Sequence, residues 1–226
     1  MNADLFARLF VAFGLLLAAA AMTPLLSRKR TLAGAVNLAL VAVAAVLLLT
    51  VSYDALFGAA GHAARTVSLG PVAVPFLVDG FSAVFLAIIA FMAVMSALYS
   101  IRYMDHYPEY GLAGYYLCFP LFILGMAGLV TVDDLAVGFT LAWQVMTVAS
   151  FFLIRFEHRK KENVRNAAKY LVLMELAWLL VVAGAFFVDG YEFGEPLAEI
   201  AAKLGATGGL PLAGFFAFLL AGFGLK

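Results

Sequence analysis

Charge is what this 226-residue chain has least of. Charged side chains make up 12% of it and hydrophobic ones 65%, whereas an average soluble domain is about a quarter charged and about half apolar. Such a chain cannot cover a water-facing surface with polar groups, so its composition belongs in lipid. Its 14 basic and 14 acidic residues cancel, which argues against nucleic acid as a partner. The single cysteine, Cys118, sits inside an apolar run. It excludes an intrachain disulfide and a cysteine metal cluster, and it says nothing about redox compartment. The three histidines show no spacing with other ligand types that suggests a metal site. The sequence also has no glycine-rich phosphate loop, no nucleophile–base pair, no soluble domain and no low-complexity tail. The first strong charge, Arg28-Lys29-Arg30, follows the first apolar run. A signal peptide has the reverse order, so residues 4–26 read as a retained helix.

What the chain does have is long apolar runs. A spanning helix needs about 20 apolar residues, and seven segments qualify: 4–26, 32–52, 79–101, 112–131, 134–155, 166–188 and 208–226. Backbone polar groups in hydrocarbon must be bonded within their own segment, so each reads as a helix. The fold class is therefore all-α integral membrane, with about seven transmembrane helices. Arg28, Lys29, Arg30, Arg102, Arg155, Arg159, Lys160, Lys161 and Arg165 fall in loops on one side. The other side holds only Arg8, Arg65 and Lys203, with several acids. The positive-inside rule puts the first group in the cytoplasm and the N-terminus outside. In the outer loop, about 53–78, "TVSLGPVAVPF" alternates around Gly70-Pro71 and predicts a short hairpin. "EPLAEIAAKLG" (195–205) predicts a short amphipathic helix between Pro196 and Gly205. Asp79 is placed to cap the third helix, and Asp133 and Asp134 the fifth.

Ionisable groups inside the bilayer cost several kcal/mol and are functional candidates by default. Glu175 lies about ten residues into the sixth helix, too deep for a short carboxylate to reach water; it reads as a proton carrier or as an interhelical hydrogen-bonding group. Lys169, nearer the start of that helix, either snorkels to the surface or stands near a proton uptake path, and the spacing puts it on the opposite face from Glu175. Lys226 follows about 17 apolar residues and can alternate between charged and neutral if buried. Gln144, in mid-helix, carries an amide that can bond across helices for about 1 kcal/mol but cannot titrate. His106 and Asp105, in "RYMDHYPEY", fall at the cytoplasmic surface, where they are either interfacial or part of proton uptake. A spanning helix that stops at Lys226 suggests a fragment, or a second polypeptide that continues it.

These pieces resemble a known family. "DGFSAVFLAIIAFMAVMSALYSIRYM" (79–104), "LAVGFTLAWQVMTVASFFLI" (135–154) and "NAAKYLVLMEL" (166–176) are similar to the third, fifth and sixth helices of the antiporter-like subunits of respiratory complex I, Mrp antiporters and membrane-bound [NiFe] hydrogenases. "FLLAGFGLK" (218–226) resembles the first half of their broken seventh helix. The style of "KYLVLMEL" leans toward the hydrogenase-4 or formate hydrogenlyase branch. The resemblance implies the N-terminal half of a fold of about fourteen helices in two inverted repeats. Residues 1–110 would hold helices 1–3 with the outer hairpin, and 111–226 helices 4–7a, an incomplete first repeat. In the family a helix-five glutamate pairs with a helix-seven lysine. Carried over, the lysine is Lys226 and the glutamate position is Gln144. A neutral amide cannot be the charge partner, so either Glu175 takes that part or the subunit does not pump.

The resemblance further implies a subunit that moves protons or Na⁺ in the bacterial or archaeal cytoplasmic membrane. Its partners would be other membrane-arm subunits and a peripheral redox module. It would hold no cofactor itself; Fe–S clusters and NiFe or flavin would belong to partner subunits. An Mrp-type Na⁺/H⁺ antiporter subunit and a non-pumping structural subunit are the alternatives.

Overall fold

The computed structural model describes residues 2–58, 61–70 and 72–226. Helix α1 (Asn2–Met22) runs into a 3-10 turn, Thr23–Leu26, and α2 (Arg30–Phe57) follows. Strands β1 (His62–Leu69) and β2 (Val72–Asp79) come next, then α3 (Gly80–Tyr103), α4 (Ala113–Leu129), α5 (Val137–Ile154), α6 (Lys161–Ala185), α7 (Leu197–Thr207) and α8 (Gly209–Gly224). Each of the seven apolar segments coincides with a helix. Five helical stretches, containing α1, α2, α3, α5 and α6, are long and apolar enough to cross a membrane. The shorter α4 and α8 are apolar throughout, with 17 and 16 residues.

Small residues let these helices approach closely, as expected where lipid supplies no hydrophobic drive between them. On α3 the buried residues Ala83, Leu86, Ala90, Ala93, Ala97 and Ser100 recur at alternating steps of three and four, the seam of a left-handed pair. That seam packs on α2, which also packs on α1. The first core joins α1 (Leu5, Phe6, Leu9) to α2 (Leu48), α3 (Leu86) and α4 (Ile123). A second core joins Phe139 and Trp143 of α5 to Val181 of α6, Ile200 of α7 and Phe215 of α8. The outward faces remain apolar and exposed, for example Val43, Ile88, Val172 and Leu220, the reverse of a soluble surface and suited to lipid.

Caps and loops set the ends. Asp79 accepts from the Ser82 N–H at 2.8 Å and caps α3. Asp134 caps α5, accepting from the Ala136 and Gly138 N–H groups at 2.9 and 3.0 Å. Asp133 has a different part: its carboxylate accepts from the Leu197 N–H at 3.3 Å and so ties the start of α7 to this loop. The predicted amphipathic helix is α7, but Gly205 lies inside it. The stop is Gly208, whose positive φ of 59° suits a residue without a Cβ. The hairpin is antiparallel, with Val67 opposite Val74. Gly70 turns at φ 65°, and Pro71 lies outside the described residues. The hairpin's outer edge is paired as well, because the Leu77 N–H donates to the Thr131 carbonyl at 2.8 Å and the Asp133 N–H to that of Pro75 at 2.9 Å. The hairpin, the start of α5 and the start of α7 therefore form one hydrogen-bonded unit. At the opposite end, Arg30 donates to the carbonyls of Met104, Tyr107, Pro108 and Tyr110 at 2.7–3.1 Å. One cation read from sequence as a topology signal thus also holds the loop after α3.

Helices α4 and α5 cross closely at Gly125. A Cβ at Gly125 would stand 2.6 Å from the Met146 backbone nitrogen. Gly125→Val is therefore expected to destabilise the folded chain by about 2 kcal/mol in equilibrium unfolding in mixed micelles. Gly114→Ala, with nothing within 4 Å of its Cβ, is expected to be neutral or slightly stabilising.

Candidate functional site

Helices α5 and α6 are antiparallel neighbours joined by the short basic loop, so each turn down one faces a turn up the other. Three side-chain hydrogen bonds use that register. Trp178 Nε1 donates to Thr140 Oγ1 at 3.0 Å, Gln144 Nε2 to Glu175 Oε2 at 2.9 Å, and Trp143 Nε1 to the Met174 carbonyl at 3.3 Å. The seam thus satisfies its own polar groups with neighbours across the helix pair, as hydrocarbon demands. Gln144 and Glu175 are both half-buried. Their contact joins an amide N–H donor on α5 to a carboxyl oxygen on α6.

Trp143 is fully buried and is the centre of the site. Its edge is fixed to α6 through Met174. Phe139 and Phe223 flank it, with ring centroids 5.2 and 6.1 Å away. The Lys226 ammonium lies over its face, 3.6 Å from the ring centroid, and 3.5 Å from Met146 Sδ. The structure does not bring Lys226 and Glu175 into an ion pair. Among the described residues, the ion pairs are Arg8 with Asp4 and Asp54, Lys160 with Glu157, and Lys203 with Glu195. None of these is on the α5–α6 seam.

Lys226 and Trp143 also line one end of a cavity of about 770 Å³. Its far end, beside the hairpin, is lined by Asp79, Asp133 and Asp134. Burial pushes the carboxyls of Asp133 and Asp134 above the usual carboxylate range, although backbone N–H donors oppose this at both. The other sequence candidates lie apart from this group. Lys169 is exposed on α6, and Asp105 and His106 are exposed in the 3-10 turn after α3.

The residue that sequence reasoning missed is Trp143. The signal was present, because it directly precedes Gln144, but an aromatic in an apolar helix reads as core. The partnership of Thr140 with Trp178 was legible only once the register of α5 and α6 was known.

Residues 67–112 match the family described as NADH-Ubiquinone oxidoreductase (complex I), chain 5 N-terminus. The chain is 30% identical over 111 residues to Na(+)/H(+) antiporter subunit A1 of Staphylococcus haemolyticus, covering 49% of this chain and 13% of that protein. It is 29% identical over 150 residues to Hydrogenase-4 component B of Escherichia coli, covering 66% and 21%. It is 28% identical over 185 residues to F(420)H(2) dehydrogenase subunit N of Methanosarcina mazei, covering 80% and 36%. Among solved structures, a chain of the Mrp complex from a Dietzia species superposes with a TM-score of 0.73 at 26% identity, over 98% of this chain and 23% of that one. A chain of the membrane-bound sulfane sulfur reductase, an archaeal respiratory membrane complex, also reaches 0.73, at 15% identity over 95% and 43%; it shares the fold. The chain thus spans less than half the length of each of these relatives. It is similar to part of the length of antiporter-like subunits of the complex I and Mrp group.

The Gln144–Glu175 bond has a direct energetic test. In a double-mutant cycle of Gln144→Leu and Glu175→Leu, a coupling of about 1 kcal/mol is expected in equilibrium unfolding. Purely additive effects would remove the contact from the account.

Proposed function

We propose that the chain is a membrane subunit of an energy-converting oxidoreductase complex and works in proton or Na⁺ translocation. The observation that carries this reading is the placement of Lys226 and Glu175 on either side of one α5–α6–α8 contact, where each has a partner within the protein. Groups that titrate are expensive in hydrocarbon, and here they are gathered around Trp143. Similarity to a hydrogenase component and an F(420)H(2) dehydrogenase subunit supports a redox-driven complex. In this reading seven helices cross the bilayer with the N-terminus outside. The division falls near residue 110, with helices 1–3 and the hairpin before it and helices 4–7a after. Lys226 and Glu175 carry the charge change, Gln144 holds Glu175, and Lys169, with His106 and Asp105, lies toward uptake. Other membrane-arm subunits surround the chain, and Fe–S clusters with NiFe or flavin sit in a peripheral redox module.

The mechanism is electrostatic. A charge change elsewhere in the complex alters the balance between charged and neutral Lys226, and water chains move the ion. One elementary charge crossing 100 mV costs about 2.3 kcal/mol, which sets the size of the change the protein must impose. A second reading, an Mrp-type Na⁺/H⁺ antiporter subunit driven by ion gradients, is supported by the antiporter A1 identity and the Mrp-complex superposition. A third, a non-pumping structural subunit, is supported by the neutral amide at Gln144.

Co-purification separates the first two readings: redox subunits favour the first, and small Mrp-type membrane subunits the second. In sealed vesicles carrying the intact complex, Glu175→Gln and Lys226→Met are each expected to lower coupled ion movement at least tenfold, about 1.4 kcal/mol in rate terms, while assembly is kept. Wild-type movement in both variants contradicts transport through these groups and leaves the structural reading.

A further inference from the structure

We propose that Trp143 is the charge partner of Lys226, its indole face standing where a carboxylate would otherwise meet the ammonium. The proposal rests on the reading of Lys226 as a working lysine, and deepens it by naming the residue that positions it.

Four observations carry it. The ammonium lies 3.6 Å from the ring centroid, well inside the roughly 6 Å reach of a cation–π contact, and tryptophan has the strongest such face. The ring is held in place from three directions, by its Nε1 bond to Met174 and by Phe139 and Phe223, so its face is presented without reorganisation. Among the described residues, the ammonium's one hydrogen-bond partner is the Met146 sulfur at 3.5 Å, a soft, uncharged acceptor. Glu175, the carboxylate on the facing helix, takes the amide of Gln144 instead.

This choice of partner has a chemical consequence. A carboxylate can take the proton of the lysine it pairs with, so that both become neutral at once. An indole face attracts the ammonium but accepts no proton at neutral pH. A proton leaving Lys226 must therefore go to water or another group along the cavity, and the partner is unchanged by the transfer. The attraction is also weaker than that between full charges in a low-dielectric site, so the ammonium is held and can still be released. Trp143 is thus a positioning residue, acting on Lys226 and not on the transported ion.

The chain has two tryptophans, which makes the contact readable by fluorescence. With Trp178→Phe, the emission of the full chain in lipid nanodiscs comes from Trp143 alone. Should that variant assemble poorly, subtracting the Trp143→Phe signal from that of the unmodified chain gives the same readout. The titratable groups facing this region are Lys226, Glu175 across the seam and Asp79, Asp133 and Asp134 at the far end of the cavity. The expected result is a pH-dependent step in Trp143 emission that persists in Glu175→Gln, persists in an Asp79→Asn, Asp133→Asn, Asp134→Asn variant and vanishes in Lys226→Met. Replacing Trp143 by increasingly fluorinated tryptophans weakens the π face with little change of shape. The step's midpoint is expected to shift progressively, by roughly one pH unit over the series. A midpoint that ignores fluorination, or a step that survives Lys226→Met, overturns the proposal. Because the readout needs no ion flux, it separates failure of this contact from failure of the transport reading, which vesicle measurements on Lys226→Met decide.

Discussion

A polar side chain in hydrocarbon has no water to fall back on, so it must find its partner inside the protein or lose several kcal/mol. The α5–α6–α8 contact is built to that rule. Four polar side chains there find partners across a helix boundary: Trp178 to Thr140, Gln144 to Glu175, Trp143 to the Met174 carbonyl, and Lys226 to the Trp143 face. The close approach that allows this comes from small residues. Gly222 of α8 lies where a Cβ would press on Val181 and on the Ala177 carbonyl of α6, which lets the chain beyond α8 reach back to Trp143.

The same rule organises the ends of the helices. Carboxylates cap α3 and α5 where unpaired N–H groups would otherwise be left, and a third, Asp133, joins the α5 loop to α7. The hairpin's free edge is closed by the chain at Thr131 and Asp133, which avoids an open strand at the membrane surface. These links make the hairpin side of the cavity a fixed frame, while its other end is lined by rings and by Lys226. Carboxyl groups line the hairpin side of this cavity, and Lys226, exposed at the end of α8, lines its other side.

Much of this was legible in the sequence, for physical reasons. Long apolar runs have one way to satisfy their backbone, so each of the seven read from sequence overlaps a helix, although five helical stretches have membrane length and α4 and α8 are shorter. Asp79 and Asp134 stand where helix N-termini need an acceptor, and Gly70 where a hairpin needs a positive φ. Other features were hidden because they depend on what meets what in space. Gly205 looked like a helix end until Gly208 proved to hold the left-handed turn. Arg30 looked like one more cytoplasmic charge, although it gathers four carbonyls from a loop more than seventy residues away. Trp143 is one aromatic among many in a helix apolar on every side, with no periodicity to say which ring faces a lysine. Lys226 and Glu175, the two groups that sequence reasoning joined, are each served by a different neutral neighbour.

The central claim is that the carboxylate of Glu175 is held inside the protein by Gln144. The most direct measurement is a pH-induced infrared difference spectrum of the chain in lipid nanodiscs. The account predicts a carboxyl band that disappears in Glu175→Gln and changes frequency in Gln144→Leu, because the amide's hydrogen bond sets its position. A Glu175 band identical in the wild type and Gln144→Leu would mean that the carboxylate faces lipid or water instead, and would contradict the account.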